Sequence, residues 1–188
     1  MEALDALLNR VSAPRLVEPA PDAAQRDLLF RAALRAPDHG QLRPWRFLTV
    51  EGAAREQLGE LLVQGLLASH AEAPPEAVAK ARAMPLRAPL LVLVIARLQA
   101  HAKVPQQEQL LAAGCAAHAI LLAAHAQGIG AVWRTGELAY SAAVAAGLGL
   151  GEGEQVIAFL YLGTPERELR TPVALDPAAF VSAWPGEA

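Results

Sequence analysis

Apolar residues fall into two kinds of block along this chain, one with helical spacing and one continuous. Glu2 to Asn9 carries Leu4, Leu7 and Leu8 at helical spacing. Asp22 suits an N-cap and opens a second helical block, in which Leu28, Leu29, Ala32, Ala33 and Ala36 form one stripe and Pro37 marks the end. Arg46 to Glu51 then reads as a strand. Ala54 to Leu67 is an amphipathic helix and Glu76 to Ala83 a weaker one, with a loop over Ala71 to Glu76 that holds Pro74-Pro75. Pro89 to Ala96 (PLLVLVIA) is apolar without a break, as expected of a strand covered on both faces. Gln106 to Gln127 is a long helix stopped by Gly128. Ile129 to Arg134 reads as a short strand or turn, Tyr140 to Gly147 as a helix, and Val156 to Leu162 (VIAFLYL) as a second buried strand. From Thr164 onward no helical period remains.

Strands alternate with helices, and the strongest strands are apolar on both faces. The pattern predicts one domain over 1–188, built on a central sheet with helices on each side. The 106–127 helix is apolar almost all round, so it is expected to be buried on every side. Its apolar run, Leu110 to Gln127, carries two histidines and no hydrophobic flank beyond, and is read as falling short of a membrane span. A chain of 188 residues rarely encloses such a helix alone, which points to a homodimer with this helix in the interface.

Composition narrows the function. Sixteen Lys and Arg against nineteen Asp and Glu leave a net charge of −3, which argues against a sequence-independent nucleic-acid binder. Arg outnumbers Lys 14 to 2, and Arg is the better fork for phosphate. One cysteine, Cys115, excludes an internal disulfide and a multi-cysteine zinc site, and fits a reducing cytoplasm. The acidic start, Met1 to Asp5, is not that of a signal peptide.

Several motifs reduce to structure. Gly128-Ile129-Gly130 follows a helix, and Trp133 stands where a dinucleotide fingerprint needs its third glycine. Cys115, His118 and His125 share the long helix, but the two histidines lie about 10.5 Å apart along its axis, too far for one ion, so all three are expected in the core. Three polar clusters are richer than connectors need. Arg10 and Ser12 leave the first helix and can grip an anion together. Arg35 lies about 20° from Leu28 on the helical wheel, at the edge of the apolar stripe, and leads into a loop with Asp38, His39, Gln41, Arg43 and Trp45. Trp133, Arg134 and Thr135 place a flat apolar surface, a cation and a hydroxyl at the exit of a strand.

Taken in order, these clusters resemble the nitroreductase family, and closely its small YdjA-like subgroup of NAD(P)H nitroreductases. The matching stretches are LLNRVSAPRLVEPAP, APDHGQLRPWRFLTVEG, AHAQGIGAVWRTG and FLYLGTP, which together span nearly the whole chain. The resemblance implies an α+β fold, a mostly antiparallel sheet sandwiched by helices in an intertwined homodimer, with one FMN in each of two interface clefts. It assigns Arg10, Val11 and Ser12 to the first FMN-contact segment, Arg35 and His39 to contacts from the other subunit, and Trp133, Arg134 and Thr135 to the third. Val11 departs from the subgroup, which has arginine there. Ala123, Ala124, His125, Ala126, Gln127 and Gly128 fall on the segment associated with the nicotinamide nucleotide. The implied activity is hydride transfer from NADH or NADPH through the flavin to a nitroaromatic, quinone or similar small acceptor, by ping-pong exchange. The flavin does the redox step, so no catalytic side chain or metal is expected, nor a nucleic-acid or membrane partner. Alternatives are a flavin carrier or redox sensor with little turnover, and a relative that performs reductive dehalogenation or flavin breakdown. A short candidate lid, Ser69 to Arg87, favours a small, open acceptor site.

Overall fold

The structure is a computed structural model that describes residues 1–184 and 186. Eleven elements alternate along it: α1 (Ala3–Asn9), β1 (Leu16–Val17), α2 (Ala23–Ala33), β2 (Trp45–Glu51), α3 (Ala54–Ser69), α4 (Pro75–Ala83), β3 (Leu90–Arg97), α5 (Gln106–Ala126), β4 (Gly130–Arg134), α6 (Ala142–Gly147) and β5 (Glu154–Pro165). The strands form one sheet in which every pairing is antiparallel. β3 lies between β2 and β5, and the far edge of β5 carries β4 along Phe159 to Gly163 and the two residues of β1 at its end.

Strand β3 shows why the sheet is a central layer. Its side chains alternate between faces. Leu90, Val92, Val94 and Ala96 enter one apolar cluster with α2 and α5, whereas Leu91, Leu93 and Ile95 enter a second with α3 and α6. Neither face has room for a polar residue, which is the origin of the unbroken apolar run. Helix α2 begins as expected: Asp22 accepts from Gln25 N at 2.8 Å, and Gln25 Oε1 accepts from Asp22 N at 2.9 Å, a reciprocal capping box.

Several local expectations are corrected. Helix α2 stops at Ala33, and Arg35 and Ala36 follow in tight turns bonded to Ala32 O and Ala33 O. Proline disfavours the α conformation in the residue before it, so the chain leaves the helix ahead of Pro37. The proposed 71–76 loop is shorter, because Pro75 starts α4; proline's fixed φ and missing N–H suit a first helical position. Helix α6 starts at Ala142, after a separate 3-10 turn over Glu137–Tyr140.

Helix α5 differs most from expectation. By length and composition it meets the requirement for crossing a bilayer, contrary to the sequence reading, yet it packs on the sheet with eight residues buried. One chain does not enclose it, as is expected from its length. Leu111, Cys115 and His118 are exposed on one face, so Cys115 and His118 lie outside the core of the single chain, and an added methyl at Gly114 would meet nothing. Leu4, Leu7 and Leu8 of α1 are exposed too, and so are Val173, Leu175, Phe180, Val181 and Trp184 in the tail. One chain thus leaves three apolar surfaces uncovered.

Candidate functional site

The first polar segment is fixed to the sheet. Ala13 is buried and its N–H donates to Ala131 O of β4 at 2.9 Å. Arg10 and Val11 just before it are half-buried and Ser12 is exposed. Ser12 lines a cleft of about 460 Å³ together with Pro14, Arg15, Arg167, Glu168, Leu169 and Arg170. Sequence reasoning missed these three arginines, since two of them arrive from the far end of the chain, carried there when Glu166 N bonds Arg15 O at 3.2 Å. Glu166 offsets part of the charge, at 3.5 Å from Arg15 and 3.9 Å from Arg167. A second cleft adjoins the first through Pro14 and Arg15, and its wall includes Val17, Leu86, Arg87 and Arg134. The pair of clefts is rich in cations and suits a ligand with an anionic group and an apolar body.

The second segment lies elsewhere on the same chain. Arg35 lines a shallow cavity with Ala36, Asp38, Gln41, Arg43 and Trp45. The Asp38 carboxylate accepts from Leu42 N at 3.2 Å and Arg43 N at 2.7 Å, which holds the loop in a tight coil. Gln41 and Arg43 have φ of 52° and 49°, in the left-handed region that costs a non-glycine residue about 1 kcal/mol or more. His39 donates from Nδ1 to Glu108 Oε2 at 2.7 Å, so its other nitrogen points away from the carboxylate.

The register measures how far apart these two segments stand. Ala131, which anchors the first, pairs with Leu162, and Leu162 pairs with Leu90. Trp45, beside the second, pairs with Ala96. Six residues of strand separate the two rows, about 20 Å. Arg35 and His39 therefore do not reach the Ser12 cleft of their own chain.

The third segment divides. Trp133 packs with the α5 face, and its Nε1 donates to Thr135 Oγ1 at 2.9 Å, while Thr135 Oγ1 donates to Ile157 O at 3.3 Å. Arg134 points to the opposite face and into the cleft with Arg87. Within one chain the Trp133 ring and the Arg134 guanidinium thus face opposite sides of the sheet, as neighbours on a strand do.

The segment 123–128 is the end of α5. Ile129 N bonds Ala124 O at 2.9 Å and Gly128 N bonds His125 O at 3.0 Å, with Gly128 at φ 74°, a Schellman cap. Ala124 is buried, Ala123 half-buried and Ala126 exposed, and Gln127 Nε2 donates back to Ala123 O at 3.0 Å. His125 is half-buried with an unpartnered, buried Nε2, the polar atom this segment has to spare.

An antiparallel sheet between two helical layers, with cationic clefts at its edge, defines the class. A sequence model described as the nitroreductase family matches residues 15–164, and the chain belongs to that family. It is 44% identical over 183 residues to the "Putative NAD(P)H nitroreductase YdjA" of Escherichia coli (strain K12), covering 97% of this chain and 99% of that one. Among solved structures, the nitroreductase-like family protein from Bacillus cereus superposes with a TM-score of 0.84 at 19% identity, over 99% of this chain and 97% of that one. A variant of the FMN and NADPH-dependent nitroreductase NfnB, from a strain named as "sphigopyxis sp.", gives 0.72 at 20% identity over the full length of both.

Proposed function

We propose that this chain is an FMN-dependent NAD(P)H oxidoreductase that reduces nitroaromatics, quinones or similar small acceptors and works as a homodimer. One observation carries the reading: two polar segments of matching chemistry stand about 20 Å apart on a single chain, and the chain leaves apolar α1, α5 and tail surfaces uncovered. A second copy would cover those surfaces and bring its Arg35 and His39 to the Ser12 cleft.

The residues fit the cofactor. Ser12, Arg167 and Arg170 line the cleft and suit a phosphate dianion, with Arg10 two residues before Ser12, and these arginines compensate for valine at position 11. Arg134 reaches the adjoining cleft, and Trp133 and Thr135 act through the backbone they brace. Bound FMN supplies hydride transfer, taken from NADH or NADPH and passed to the acceptor. The protein's task is to hold the reactants in turn over the same face and to exclude wrong geometries. His125 and Gln127 are the polar side chains that the 123–128 segment offers to a nicotinamide nucleotide.

Purified protein should be yellow and release one FMN per chain on heating, and NADPH or NADH should bleach it within the dead time of turnover. Arg10→Ala and Arg170→Ala should each weaken FMN binding by about 10-fold or more while the chain stays folded. Protein that is colourless and refuses added FMN overturns the proposal. Protein that binds FMN yet is not reduced by either nucleotide is a carrier or sensor instead.

A further inference from the structure

We propose that Arg87, Arg134 and the Tyr161 hydroxyl form an oxyanion subsite beside the Ser12 cleft. It takes the phosphate or carboxylate of the reactant that enters: the 2′-phosphate of NADPH or the acid group of an aromatic acceptor. The inference rests on the redox reading above for the identity of those reactants.

Three elements bring the groups together. Tyr161 sits in the middle of β5, opposite Leu91 of β3 and Val132 of β4, on the α3 face of the sheet. Arg134 is two residues beyond Val132, hence on the same face. Arg87 ends the 3-10 turn Met84–Arg87 that leads into β3. Arg87 and Arg134 line one cleft, whose remaining wall includes Leu86 and Val17, a suitable apolar bed for an aromatic ring.

The cluster is charged and unsatisfied. Three other half-buried arginines have partners: Arg26 holds Glu51, Arg46 holds Glu154, and Arg55 donates to Ala88 O, whereas Arg10, in the proposed cofactor segment, has none among the described residues. Arg87 and Arg134 make no ion pair or side-chain hydrogen bond among the described residues, and Glu166 in the same cleft is engaged with Arg15 and Arg167. Tyr161 is only 2% exposed as a residue, and its hydroxyl, which makes no side-chain hydrogen bond among the described residues, is not one of the polar atoms sealed from solvent, so it is open to a ligand. Burial pushes the Tyr161 pKa up, while the charges of Arg87 and Arg134 oppose the rise, so the hydroxyl stays protonated and able to donate. Two unpaired guanidiniums beside a hydroxyl donor are matched by an oxyanion that accepts from all three.

Binding calorimetry on the purified full chain tests this directly, with bound FMN read separately by absorbance. The probes are 4-nitrobenzoate against 4-nitrobenzamide, and 2′,5′-ADP against 5′-AMP. Wild type should prefer the more anionic member of at least one pair, and which pair responds separates the acceptor from the nucleotide. Arg87→Gln should reduce that preference by about 10- to 100-fold. Arg87→Lys should restore part of it, and Tyr161→Phe, which keeps the packing, should reduce it by a smaller factor. No preference in wild type for either pair, or a preference untouched by both Arg87→Gln and Tyr161→Phe, overturns the subsite. Absence of FMN alone overturns the cofactor reading and leaves this comparison decisive for the subsite.

Discussion

Glu154, the first residue of β5, offers the sharpest test of the energetics. Its carboxylate accepts from Arg46 Nε and Nη2, both at 2.7 Å, and from Gly151 N at 3.0 Å, with Arg97 Nε at 3.6 Å. The Arg46 hydrogen bonds dominate; burial opposes them, and the Gly151 N–H and the charges of Arg46 and Arg97 help, so the pKa falls from 4.5 to about 2. At ~1.36 kcal/mol per pKa unit, that fall corresponds to about 3.4 kcal/mol as an upper value. The Glu154 side chain is 14% exposed and that of Arg46 29%, so solvent trims it, and about 2–3 kcal/mol is expected. A carboxylate more acidic when folded binds fewer protons in the folded state. Its contribution is therefore complete above about pH 5 and is lost as the pH falls toward 2. Glu154→Gln keeps the shape and removes the charge. Urea unfolding at fixed chain concentration should show the variant less stable by about 2–3 kcal/mol at pH 7, with the gap narrowing below pH 5 and closing toward pH 2. Equal stabilities at pH 7, or a gap that stays constant from pH 7 to pH 3, would refute the assignment of the effect to this ion pair.

Two other substitutions probe the frame of the site. Gln109 is 1% exposed on α5, and its amide accepts from Gln99 N and donates to Gln99 O and Val104 O. Gln109→Leu should cost about 2–3 kcal/mol by orphaning those backbone groups, with faster amide exchange over 99–104, and unchanged exchange there would count against it. Leu111→Asp puts a charge on the open face of α5; sedimentation at micromolar concentration should give twice the chain mass for the wild type and the single chain mass for the variant, and an unchanged dimer removes α5 from the interface.

The layered fold was legible because burial writes itself into periodicity: β3 and β5 had to be apolar on both faces, and Asp22 marked the start of α2 as an N-cap. What escaped was whatever depends on distance in space. The two-residue β1 exists only because β5 continues past Leu162 to Pro165 and offers it an edge. Arg15, Arg167 and Arg170 form one cleft although some 150 residues of chain separate the first from the others. Helix propensity could not tell that the Leu4, Leu7 and Leu8 face would meet solvent in a single chain, since the same pattern serves a core or a partner. The split of Trp133 from Arg134, by contrast, was available in principle: neighbours on a strand face opposite ways, and a cluster at a strand exit still follows that alternation. Nothing local marks Gln109 as buried, because its partners belong to the loop that precedes the helix.

The position of β5 in the chain bears on how the protein is made. This strand alone bonds to β1, β3 and β4, and it begins only at residue 154. During synthesis, β3 has β2 as its sole strand partner until β5 emerges, and its LLVLVIA stretch keeps an unpaired, apolar edge for all that time. The sheet is therefore assembled after most of the chain has been translated, through contacts of long sequence separation that close slowly. The nascent chain thus passes through an interval in which an apolar strand edge has no partner, the kind of exposure that favours aggregation over folding.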